Sequence, residues 1–147
     1  MTINRIDVFK IPSHRARAPR AMDFLPAVCW FILVCLLLFM PSREMPDSNL
    51  FKLKGTDKLV HLFLFGVMTF LFCLPVFLSL PVTPKNKKII YWSVALLVSL
   101  WGLSTEFIQK TYVPGRDFEL LDWLADSAGS FLAYIPLHWV LKNQSNT

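Results

Sequence analysis

Residues 24–40, FLPAVCWFILVCLLLFM, run seventeen positions without a charged side chain. How that run is read decides which solvent the chain folds in. As a helix it covers about 25 Å, most of a hydrocarbon core of about 30 Å. The rival reading is the core of a secretory signal peptide. The run follows a segment carrying Arg5, Lys10, Arg15, Arg17 and Arg20, and it ends in FMPSRE, with no small-residue cleavage site. An uncleaved first membrane helix is therefore expected.

Working outward, three further runs have comparable length and apolarity, at residues 59–80, 89–108 and 120–141. Their Leu and Phe content fits helices, which satisfy every backbone group within one segment, as lipid requires. Prolines punctuate the ends. Pro41 and Pro46 follow the first run, Pro81 and Pro84 the second, and Pro114 with Gly115 turns the chain after the third. Pro75 and Pro136 lie inside runs and are expected to kink them.

The bulk composition agrees. Of 147 residues 54% are hydrophobic, 13 are Phe, and the mean hydropathy is +0.48. That apolar load exceeds what one small soluble core absorbs. The net charge is +5, but the Lys and Arg residues lie mostly outside the apolar runs. The basic balance thus reads as membrane topology, and no nucleic-acid partner is expected. Cys29, Cys35 and Cys73 all fall inside apolar runs, where a thiol acts as a small hydrophobe. With no CxxC and no Cys/His metal spacing, neither a cofactor nor a resident metal is expected.

The expected fold is an all-α membrane protein, a bundle of four transmembrane helices with both termini on the cytoplasmic side. Its parts are a basic tail at 1–22, a membrane domain at 23–141 and a polar tail at 142–147. Nine of the fifteen Lys and Arg lie in the tails and the middle loop KNKK, residues 85–88, against six on the other side. By the positive-inside rule this places the termini on the cytoplasmic side of a multi-pass membrane protein. Tyr91, Trp92 and Trp139 are expected as inner interfacial anchors, and Tyr112 and Trp123 as outer ones.

That topology puts GTDKLVH, residues 55–61, on the same outer face as EFIQKTYVPGRDFELLDWLAD, residues 106–126. Asp57 and His61 are one helical turn apart, with Lys58 alongside. Glu106 and Gln109 end the third run. Asp122 and Asp126 share a helical stripe with Gly129 and Ala133, and small residues mark faces where membrane helices approach closely. Asp126 lies five to seven residues past the boundary, roughly 8 to 10 Å down the axis at 1.5 Å per residue. Its partners are sought among Lys58, a protonated His61 and Arg116, with Arg116 favoured for its planar, permanently charged guanidinium.

Plainer readings stand beside these. Asp57 caps free amides at a helix start, with His61 a passive packing residue. Glu106 and Lys110 form an i,i+4 surface pair. Asp117 and Glu119 are solvated loop charges, and VPGR is a turn chosen for backbone shape. His138 packs at the inner interface. An ionisable group inside a span, as Asp126 is, points to function by default.

At these residues the sequence resembles the VanZ-like family of small bacterial membrane proteins. The resemblance rests on DKLVH at 57–61, EFIQ at 106–109, PGR at 114–116 and LLDWLADSAG at 120–129, and covers roughly residues 55–135. Their order and placement at span ends make the combination specific. The resemblance implies a polar signature at Asp57, Lys58, His61, Glu106, Gln109, Arg116, Asp122, Asp126 and Gly129. It also implies a place in a bacterial cytoplasmic (inner) membrane and a link to the cell envelope, since the family's namesake is associated with low-level antibiotic resistance to the glycopeptide teicoplanin. Many members carry Asn where this chain has Asp126, which weakens any mechanism demanding a charge there.

The leading expectation is a binding protein whose outer-face cluster of Asp57, Lys58, His61, Glu106, Gln109, Arg116, Asp122 and Asp126 takes a charged head group. The expected partners are membrane lipids, with a lipid-linked envelope precursor or a lipid-directed glycopeptide as specific occupants. One alternative is an intramembrane enzyme using the acids and His61 on a lipid head group, with a hard divalent metal such as Mg²⁺ or Mn²⁺. Another is proton or solute transport, for which four short spans require a homo-oligomer. The last is a scaffold whose charges lock the helices together.

Overall fold

The computed structural model describes residues 17–40, 55–79 and 82–144. Among them all regular secondary structure is helical. A 3₁₀ turn at Ala21–Phe24 leads into α1 (Leu25–Leu38), followed by α2 (Thr56–Leu78), α3 (Pro84–Tyr112), α4 (Leu120–Leu132) and α5 (Tyr134–Gln144). The expectations for Arg5, Lys10, Arg15, Pro41, Pro46 and Pro81 lie outside the described residues, as do those for Arg43, Lys52 and Lys54, three of the six basic residues counted on the outer side, and for residues 145–147.

Three helical stretches, Ala21–Leu38, Thr56–Leu78 and Lys85–Tyr112, are long and apolar enough to cross a membrane. The first is apolar on every side from Leu25 onward, yet only 17% of the stretch is buried in the protein. Leu25, Ile32 and Leu36 stand exposed on α1, as do Leu59 and Phe63 on α2 and Leu96 and Leu97 on α3. A helix hydrophobic all round and uncovered by protein has lipid as its natural solvent.

The third span starts five residues earlier than residue 89, because KNKK is not a loop. Thr83 caps α3 by accepting from the Asn86 amide, and Pro84 occupies the first helical position, where its missing N–H costs nothing. Lys87 turns back and donates from Nζ to the Phe77 carbonyl at 2.8 Å, satisfying an orphan acceptor in the last turn of α2.

The fourth apolar run is two helices rather than one. Pro136 has no N–H for the Leu132 carbonyl, and its ring crowds that turn, so α4 ends at Leu132 and α5 begins at Tyr134. Neither half spans a bilayer alone at 1.5 Å per residue; end to end they run the length of the bundle. Pro75, by contrast, sits inside an uninterrupted α2.

α2 and α4 run in the same direction, with α3 antiparallel to both. Their pairing, the most extensive in the fold, depends on glycine. A Cβ on Gly129 would overlap the Leu62 carbonyl, and one on Gly66 would meet the Gly129 carbonyl at 3.2 Å. Such close backbone approach is how membrane helices gain packing energy without a hydrophobic driving force. Val34, Leu38, Leu64, Phe65, Met68 and Val98 pack α1, α2 and α3 together beside the polar end. Cys73, Phe77, Tyr91, Ala95 and Leu137 pack α2, α3 and α5 at the other end. Tyr91 is thus not an interfacial anchor but a core residue, its hydroxyl donating to the Phe131 carbonyl at 2.6 Å. Trp123 is half-buried and donates from Nε1 to the Ser99 carbonyl, while Trp92, Tyr112 and Trp139 are exposed.

Candidate functional site

Both parallel helices begin at the polar end of the bundle. Gly55 precedes α2 with φ of 101°, a backbone conformation that only glycine adopts without strain. α4 starts after Glu119, whose amide is held by Glu106 Oε2 at 2.9 Å. The acids Asp57, Glu119 and Asp122 fall at or within the first turn of these helices, where the helix dipole favours negative charge.

Two polar rungs then connect α2 to α4. Lys58 Nζ donates to Asp122 Oδ1 at 2.7 Å and to Glu119 Oε2 at 2.9 Å. One turn deeper, His61 Nδ1 and Asp126 Oδ1 are 2.9 Å apart, with side chains 3% and 0% exposed. The spacing matches on the two helices. Lys58 and His61 share a face of α2 at i,i+3, and Asp122 and Asp126 share a face of α4 at i,i+4. The next step down the seam is the contact of Gly129 with Leu62, so the stripe Asp122, Asp126, Gly129 and Ala133 is buried throughout.

The third wall is α3. Glu106 is buried and holds the start of α4. Gly102 lies one turn below, and a Cβ there would come within 2.7 Å of Asp126 Oδ2. The absent side chain is the space in which the Asp126 carboxylate sits. Phe65 lies parallel to the His61 ring, their centroids 6.4 Å apart, covering it from the apolar side. Gln109 is also buried, but its Nε2 donates to the Leu38 carbonyl at 2.8 Å and ties α3 to the end of α1.

Seven of the eight candidate residues therefore face this end of the bundle from α2, α3 and α4. Arg116, the eighth, lies in the loop between α3 and α4, half-buried, beyond the turn that Gly115 makes with φ of 79°. The favoured pairing of Arg116 with Asp126 does not form. Asp126 Oδ1 meets His61, and Asp126 Oδ2 has no hydrogen-bond partner. The expected Glu106–Lys110 pair is also replaced, since Glu106 turns inward to the Glu119 amide while Lys110 stays exposed. Glu119 was expected to be a solvated loop charge but bonds Lys58. Its signal in the sequence was its register, three residues ahead of Asp122 and seven ahead of Asp126 on one stripe.

Two features of the cluster are chemically unfinished. Glu106 Oε1 and Asp126 Oδ2 are buried without hydrogen-bond partners. His61, Glu106 and Asp126 each offer a donor atom within 4.8 Å of the others, as do Asp57, His61 and Asp122. Buried carboxylate oxygens in an apolar bundle are costly unless paired, so the arrangement has capacity for something besides protein. Comparison of the chain with family models, with curated proteins and with solved structures returns no match.

Proposed function

We propose that the protein is a multi-pass bacterial cytoplasmic-membrane protein, with both termini in the cytoplasm, whose polar cluster binds a charged lipid head group at the outer face. The observation that carries this reading is the gathering of Asp57, Lys58, His61, Glu106, Glu119, Asp122 and Asp126 at one end of a bundle whose outer surface is apolar. Buried ionisable groups are expensive in a membrane span, and His61, Glu106, Asp122 and Asp126 bring four of them together from three helices. The order of DKLVH, EFIQ, PGR and LLDWLADSAG supports grouping the chain with VanZ-like proteins, and with them a role at the cell envelope.

The cluster has a graded edge suited to a head group. Lys58 retains 31% side-chain exposure and Glu119 54%, while Arg116, three residues before Glu119 in the loop, is half-buried; deeper, His61 and Asp126 are sealed. A phosphate-bearing head group would engage Lys58 and Arg116 at the rim, with Glu119 and Asp122 holding Lys58 in position. A polyprenyl phosphate, the lipid carrier type of envelope precursors, is the specific occupant proposed.

The reading is tested with purified protein in lipid nanodiscs, by measuring polyprenyl phosphate binding to wild type and Arg116→Ala. At least tenfold weaker binding by the variant is expected. Equal binding by both proteins removes the reading.

A further inference from the structure

The deep half of the cluster has a chemistry of its own. His61 comes from α2, Glu106 from α3 and Asp126 from α4, so one imidazole and two carboxylates approach from three separate helices. Their exposures are 3%, 1% and 0%, and their donor atoms lie within 4.8 Å of one another. Donors bound to one ion at about 2.1 Å each are separated by up to about 4.2 Å, so only a small contraction closes the set.

Two buried oxygens leave this triad incomplete without a further group. Glu106 Oε1 and Asp126 Oδ2 are fully buried and accept no hydrogen bond, although each has a sister oxygen that is satisfied. Gly102 lets the Asp126 carboxylate pack directly against α3, where a Cβ would stand 2.7 Å from Oδ2. Lys58 does not supply the missing charge, because its bonds go to Glu119 and Asp122 one turn nearer the surface. A neutral imidazole with two carboxylates carries two negative charges, and one divalent ion balances them.

We propose that His61, Glu106 and Asp126 hold a divalent metal cation inside the bundle. The mixed nitrogen and oxygen donors select a first-row ion between manganese and zinc over Mg²⁺, because imidazole is a poor ligand for the hard alkaline-earth ions. The overlapping set of Asp57, His61 and Asp122 is the weaker candidate, because Asp122 already accepts the short bond from Lys58. The site rests on these three residues alone and stands whether or not a head group binds above it.

The experiment uses full-length protein in detergent, stripped with EDTA and desalted, with no added lipid. Mn²⁺ and Zn²⁺ are titrated separately, followed by electron paramagnetic resonance for free Mn²⁺ and by calorimetry for both ions. About one ion per chain is expected, with a higher thermal midpoint when metal is present. Glu106→Gln and Asp126→Asn, which preserve side-chain size, should each weaken binding at least tenfold, and Asp57→Asn less than threefold. Helical circular dichroism and a monodisperse elution profile verify that the variants are folded. The wild-type stoichiometry decides the matter even if a variant does not fold. Absence of binding at millimolar ion overturns the proposal, and so does binding lost in Asp57→Asn but retained in Glu106→Gln.

Discussion

His61 and Asp126 are 65 residues apart in the chain, yet their Nδ1 and Oδ1 atoms lie 2.9 Å from each other in a region from which solvent is excluded. This contact joins the two parallel helices at the level where α3 provides Gly102 instead of a side chain. It is the deeper of the two polar rungs between α2 and α4, and several consequences can be measured.

Removing one partner leaves the other buried and unmatched. Asp126→Leu or His61→Leu is expected to lower stability by about 3 to 5 kcal/mol, whereas the double variant loses less than the sum of the two. Thermal or denaturant unfolding in detergent measures the cycle. Strictly additive losses would show that the two side chains are not energetically coupled.

Glu119 and Asp122 share Lys58 but differ in exposure, with side chains 54% and 6% exposed. Glu119→Ala is expected to cost no more than about 1 kcal/mol, with the loss vanishing at high salt, because exposed pairs are weak and screened. Asp122→Ala should cost more and be insensitive to salt. Equal salt sensitivity in the two variants would contradict the burial difference.

Gly129 and Gly66 separate close approach from mere contact. Gly129→Ala drives a methyl group into the Leu62 backbone and is expected to destabilise by about 1 to 3 kcal/mol or more through overpacking. Gly66→Ala meets the Gly129 carbonyl at 3.2 Å and should cost less. Comparing the unfolding midpoints of the two variants checks the ranking, and the reverse order would argue against the α2–α4 seam described above.

Gln109 is spent on architecture. Gln109→Leu loses one bond to the Leu38 carbonyl, worth about 1 kcal/mol, and should leave polyprenyl phosphate and metal binding within twofold of wild type. A large binding defect in a protein of nearly normal stability would return Gln109 to the ligand site.

Pro136 divides the last apolar run. Pro136→Ala restores the amide that the Leu132 carbonyl lacks and should join α4 to α5 across Ala133. Hydrogen exchange reads the outcome directly. The new amide at position 136 is expected to be protected, and fast exchange there would mean that the break has another cause.

Much of this architecture was legible in one dimension. Uncharged runs such as 24–40 announce membrane-length helices because hydrocarbon demands a local property, some twenty apolar residues with internally paired backbone. The gathering of DKLVH, EFIQ and LLDWLAD at one end also followed, since helices that alternate in direction return their mouths to the same side. The burial of Asp126 was signalled by Gly129 and Ala133 on its stripe.

Partner choice was not legible, because it depends on how far each helix is rotated about its axis, and packing sets that rotation. The Gly129–Leu62 contact turns α4 so that Asp126 meets His61 instead of Arg116, and Glu106 turns inward instead of pairing with Lys110. Gly102 is unremarkable in sequence and acquires meaning only when a carboxylate from another helix occupies the space above it. The chain by itself determined which segments avoid water and where their charges cluster. Only the tertiary structure decided which charges neutralise each other and which two carboxylate oxygens of the cluster remain without a partner, because those distances depend on the relative placement of three helices rather than on the order of residues in any one.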